Sequence, residues 1–76
     1  MEEQTLAALE PGQSARVSGL TADGDIRRRL QDMGLIPGTR VTCLNVSPLG
    51  DPKAYAIRGA VVALRAGDAA GVRVTP

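Results

Sequence analysis

The chain contains no histidine, no phenylalanine and no tryptophan, a single cysteine and a single aromatic residue, Tyr55. Each scarcity excludes something. Without histidine the commonest general base and a frequent metal ligand are missing. Cys43 sits alone among apolar neighbours, so no internal disulfide can form, and neither can a zinc or soft-metal site built from this chain. A lone cysteine also fits a reducing compartment. One aromatic ring leaves no platform for stacking single-stranded bases. A formal net charge of +1 gives no broad field for nucleic acid or anionic lipid. No apolar run approaches the length of a membrane span, and the acidic start Met1-Glu2-Glu3-Gln4 lacks the layout of a signal peptide. These features describe a cytoplasmic, soluble chain that inserts in no membrane. Its 76 residues make one small domain, 1–76, burying only about 60% of its unfolded surface.

What is present is concentrated between Asp25 and Thr39. Ile26, Leu30 and Met33 recur at helical spacing, which predicts a helix over about 25–33 with three apolar side chains on one face. Asp23 or Asp25 can cap its start. Gly34 suits the left-handed residue after the helix, which places Leu30 and Leu35 as the pair that touches in a Schellman ending. Ile36-Pro37-Gly38-Thr39 has the chemistry of a type II turn, and Glu10-Pro11-Gly12-Gln13 repeats it. Arg27-Arg28-Arg29 is the only basic run. Three cations at a helix start oppose the helix dipole. Local pairs account for them: Asp23 with Arg27, Asp25 with Arg28 or Arg29, and Arg28 with Asp32.

The rest reads as short strands. Thr5 to Leu9 forms an apolar turn, with Thr5 as its cap and Leu6 and Leu9 docked on the core. Strands follow at Ala15–Leu20, about Arg40–Val46, Lys53–Ile57, Ala60–Leu64 and Gly71–Val74. In the second of these, Val41 and Cys43 share one face while Leu44 and Val46 share the other, a slip of phase that indicates a bulge. The continuous apolar run Val61–Leu64 predicts a strand covered on both sides. Ala66–Ala70 forms a short turn or one-turn helix. About five antiparallel strands with one main helix specify a mainly β, closed or nearly closed barrel, SH3-like or OB-like.

No catalytic residue is identified. Cys43 reads as a small core hydrophobe. Asp23-Gly24-Asp25 resembles a fragment of a calcium loop without its later ligands, and capping accounts for it better. Asp51 and Asp68 read as turn residues. The remaining function is recognition by shape. Leu35 and Ile36 at the helix corner and Leu49 in the loop Ser47–Pro52 are the candidate apolar contacts, with Arg27 and Arg28 as a polar rim. No metal or cofactor site is expected. A nucleic-acid-binding module of SH3-like or OB-like type is the alternative.

Taken together, the motifs resemble the FeoA family of ferrous-iron-transport accessory proteins. The resemblance rests on Arg27 through Thr39, Pro48-Leu49-Gly50-Asp51-Pro52, Ile57-Arg58-Gly59 and Ala63-Leu64-Arg65, and covers essentially the whole chain. It implies an SH3-like barrel and a cytosolic accessory of FeoB, the membrane Fe²⁺ transporter with a GTP-binding domain. The accessory would act by contact and not by carrying iron. The same module ends iron- and manganese-dependent repressors, so a repressor-type SH3-like domain is a further alternative, disfavoured by the expectation that no DNA-binding domain precedes Met1. On this reading Leu35→Asp would leave a folded protein unable to support iron uptake.

Overall fold

A computed structural model describes residues 4–76. Six antiparallel strands form one sheet: β1 (Gln4–Thr5), β2 (Ser14–Leu20), β3 (Arg40–Val46), β4 (Lys53–Ile57), β5 (Ala60–Leu64) and β6 (Val72–Thr75). Their order is β1-β6-β2-β3-β4-β5. One helix, α1 (Gly24–Asp32), bridges β2 and β3. A four-residue helix, α2 (Ala66–Ala69), links β5 and β6, and a 3-10 turn (Leu6–Ala8) follows β1. The small mainly β fold is as expected, with one strand more than expected. Gln4–Thr5 is too short to carry periodicity, and its pairing with Val74 and Arg73 defines it.

Two Pro-Gly turns set the register of β2 against β3. In each, the fourth residue donates to the first: Gln13 N–H to Glu10 C=O at 2.9 Å, and Thr39 N–H to Ile36 C=O at 3.0 Å. Gly12 and Gly38 hold φ of 90° and 92°, a left-handed conformation in which glycine avoids the penalty of a Cβ. Each glycine also donates across the ladder, Gly12 to Cys43 C=O and Gly38 to Val17 C=O, both at 2.8 Å. The turns therefore clamp both ends of the β2–β3 pairing, in which Ser14, Ala15 and Arg16 face Thr42, Val41 and Arg40. The expected bulge in β3 is present: the register shifts between Cys43 and Asn45, leaving Leu44 without a partner in β4 and exposed.

Inward side chains of β2, β3, β4 and β6 (Val17, Val41, Cys43, Tyr55, Ile57, Val72 and Val74) close the core with Leu6, Leu30 and Leu35. Helix α1 contributes less than its pattern indicated. Leu30 is sealed and Met33 half-buried, but Ile26 is 44% exposed because only the C-terminal end of the helix lies on the core. Strand β5 also departs from expectation. It pairs with β4 alone and ends the sheet, and Ala60, Val61 and Ala63 are exposed, so its run is not covered on both faces. Alanine and valine suit a buried centre and an exposed edge alike, so the apolar run did not by itself require cover on both faces.

Polar groups tie the loops to this core. Lys53 Nζ donates to Ala7 C=O and Leu9 C=O, both at 2.8 Å, closing the open end of the 3-10 turn. Asp51 is more than a turn residue: its Oδ1 accepts from Ala66 N–H at 2.7 Å, capping α2 from the loop that enters the neighbouring strand β4. Asp51→Ala is expected to cost about 1 kcal/mol, read as a fall of about 4–8 °C in Tm. Asp51→Asn, which keeps an acceptor, should recover most of it.

Tyr55 O–H reaches Leu6 C=O at 3.4 Å in the interior. Burial, helped by the negative groups Cys43 and Asp51, pushes its pKa from the usual 10 up to about 12. The neutral phenol is thus favoured in the folded state. The resulting stability is complete below pH 10 and is lost as pH rises toward 12. The urea midpoint should therefore fall steeply above pH 10, and Tyr55→Phe should flatten that limb. The Cys43 thiol, also raised by burial, leaves a smaller alkaline loss in that variant.

Candidate docking corner

The corner between α1 and β3 is assembled from three interlocking local structures. Gly34 has φ 99°, Leu35 N–H donates to Leu30 C=O at 3.1 Å, and Gly34 N–H donates to Gln31 C=O at 2.9 Å. These are the two bonds of a Schellman ending. Leu30 and Leu35 both fall into the core. The type II turn follows at once and returns the chain into β3. Over Gly34 lies the aliphatic stem of Arg58: a Cβ built on Gly34 would stand 2.7 Å from Arg58 Cδ. Arg58 is the first residue of the tight β4–β5 turn, where φ of 51° at Arg58 and 83° at Gly59 define the type I′ geometry suited to a two-residue hairpin.

What the corner offers outward is Ile36, 41% exposed, beside Pro37. Arg16 reaches this turn and donates from Nη1 to Gly38 C=O at 3.0 Å. Directly across the ladder from Arg16 is Arg40. The preceding pair on the same face, Ser14 and Thr42, brings its hydroxyls to 2.7 Å. Arg16 and Arg40 repeat that pair type one step on, with Cβ atoms about 5 Å apart. Like charges so placed repel, and neither has an acidic partner among the described residues. The corner is therefore a stiff apolar knuckle bordered by Arg16, Arg40 and Arg58.

The candidate residues do not all meet here. Leu35 is fully buried, which removes it from any contact surface: the same Schellman contact that orders the corner seals its side chain inside. Leu49 is 94% exposed on the turn closed by Gly50 N–H to Ser47 C=O at 2.8 Å. It lies beyond the far end of β3, about 20 Å of strand from the knuckle. Arg27 and Arg28 are exposed on α1. None of the expected local ion pairs forms among the described residues. Arg27 Nη1 instead donates to Leu20 C=O at 3.3 Å, and Arg29, in the last turn of α1, pairs with Asp68 of α2 at 3.4 Å. Arg16 and Arg40 were missed because their adjacency depends on the register of strands far apart in sequence.

The buried Cys43 thiol is pushed up by desolvation, with Lys53 pulling partly back, so burial favours the protonated thiol over the thiolate. Among the described residues no group of three or more Cys, Asp or Glu side chains is arranged to hold a metal ion. No helix among them is long and apolar enough to cross a membrane.

A family model described as the FeoA domain matches residues 4–76. A protein of Porphyromonas gingivalis, the Fe(2+) transport protein A/Fe(2+) transporter FeoB fusion protein, is 35% identical over 69 residues. The match takes in 91% of this chain but only 8% of that protein. The solution structure of an FeoA protein from Chlorobium tepidum is 35% identical, with a TM-score of 0.86 over 93% of this chain and 68% of that one. The crystal structure of Stenotrophomonas maltophilia FeoA, complexed with zinc and described as a prokaryotic SH3 domain protein, is 30% identical. Its TM-score is 0.85 over 95% of this chain and 89% of that one.

Proposed function

The chain belongs to the FeoA family of ferrous iron transport, and from that footing we propose that it acts as a non-enzymatic accessory, docking on the cytosolic part of an FeoB-type transporter. The observation that carries this reading is the fusion relative, in which a segment similar to this chain and FeoB share one polypeptide. A covalent link holds two partners at effective concentrations of about a millimolar, and such a link serves little purpose unless they touch. The docking corner suits contact: a fixed turn exposes Ile36, and Arg16 and Arg40 carry unmatched charge at its border. Fe²⁺ is the transporter's cargo on this account, and the chain holds none of it.

The test is uptake of Fe²⁺ by cells expressing the transporter with or without this chain. Uptake should fall when the chain is withheld and recover when it is supplied in trans. A chain that binds Fe²⁺ tightly by itself, or uptake indifferent to its presence, would count against the reading.

A further inference from the structure

Strand β5 leaves a hydrogen-bonding edge open. Its five residues pair without a break with β4, from Ile57 opposite Ala60 to Lys53 opposite Leu64. In a two-residue hairpin the pair flanking the turn is hydrogen-bonded, and such pairs alternate along the ladder. Ala60, Val62 and Leu64 therefore turn their N–H and C=O groups toward β4, while Val61 and Ala63 turn theirs away. No backbone group of β5 bonds to any element other than β4 among the described residues. Natural edges are blunted with charge, proline or a bulge, and β5 has none of these. Val61 is 70% exposed and Ala63 is exposed on the same face.

Charge stands only at the two ends. Arg58 opens the turn that leads into the strand and Arg65 follows its last residue; both are exposed, and neither has an ion pair among the described residues. A second copy of the chain is a poor occupant. Antiparallel pairing about Val62 would set Arg65 of each copy against Gly59 and Arg58 of the other, joining like charges at both ends. We propose that the open edge of β5 takes an extended segment of a partner protein, uncharged and β-branched at its centre, with one carboxylate at each end to meet Arg58 and Arg65. Backbone bonds to Val61 and Ala63 supply the pairing, and the two arginines select the segment. The inference goes beyond the transporter reading and does not require the Ile36 knuckle.

The probe is a blocked peptide, Asp-Ser-Val-Thr-Val-Thr-Val-Asp, whose carboxylates stand as far apart in sequence as the arginines, against the same peptide with lysine at both ends. Amide exchange is followed by NMR on the isotopically labelled full chain with peptide at millimolar concentration. The acidic peptide should slow exchange at Val61 and Ala63 about tenfold, and the lysine peptide less than about twofold. The charge-swapped variant carrying Arg58→Glu and Arg65→Glu should reverse that preference. Val61→Pro, tolerated where the N–H faces outward on an edge, should keep the β4–β5 pairing and abolish the peptide's protection of Ala63. The proposal is overturned by equal protection from both peptides, by none from either, or by Val61 and Ala63 amides that grow protected with chain concentration alone, which would make the occupant a second copy. Failure here leaves the transporter reading intact, since uptake and the Ile36 contact are measured separately.

Discussion

Leu35→Asp is expected to unfold the chain. Leu35 has no exposed surface and sits at the one position that both closes the Schellman ending and fills the core beside Leu30. Truncating such a leucine to alanine costs about 2–5 kcal/mol. An unpaired carboxylate in the same place adds several more, against a total stability for this length of roughly 4–11 kcal/mol. Far-UV circular dichroism at 25 °C should show loss of the β signature, while Leu35→Met, which nearly conserves volume, should cost less than about 1.5 kcal/mol. This reverses the expectation drawn from the sequence that Leu35→Asp stays folded and fails only in function. A folded, soluble Leu35→Asp with an unchanged urea midpoint would show the corner to be looser than described.

Ile36→Asp, one residue on, is expected to do the opposite. Ile36 keeps 41% of its surface exposed and the backbone of the turn needs only Pro37 and Gly38, so the loss of stability should stay near or below about 1 kcal/mol, far short of that at Leu35. Support of iron uptake should nevertheless fall, because a carboxylate at the centre of an apolar contact must be desolvated on docking. Loss of a central anchor weakens binding by about 2 kcal/mol or more, some thirtyfold. Leu49→Asp is the informative partner. Leu49 is the more exposed of the two, but it stands at the other end of the sheet, outside the border formed by Arg16 and Arg40. It should change affinity less than about twofold. If Leu49→Asp abolishes uptake and Ile36→Asp does not, the contact lies on the loop between β3 and β4 and not at the corner.

Much of this architecture was written in local chemistry. The spans of β3, β4 and β5 agree with their sequence patterns residue for residue, because each is bounded by a turn with Pro or Gly at a decisive position. The phase slip at Cys43 and Leu44 located the bulge, and Gly34 with Pro37 and Gly38 located the corner. What stayed hidden depends on partners far apart in sequence. Leu35 reads equally well as a core residue or as an exposed knuckle until the helix is placed on the sheet. Asp51 looks like a turn residue until Ala66 is brought to its carboxylate. Arg27 and Arg29 looked like partners of nearby carboxylates and instead reach Leu20 and Asp68. The exposure of β5 follows from its place at the end of the sheet order, which no five-residue pattern encodes.

The central claim is that this chain works by offering a rigid corner to another macromolecule. Titrating the labelled chain with the soluble GTP-binding part of the transporter, and separately with Fe²⁺, tests it most directly. The account predicts that amides of Ile36, Gly38, Arg16 and Arg40 shift with the transporter part, that Ile36→Asp abolishes those shifts, and that Fe²⁺ moves nothing. Saturable shifts with Fe²⁺ alone, or a corner left unmoved by the transporter part, would contradict it.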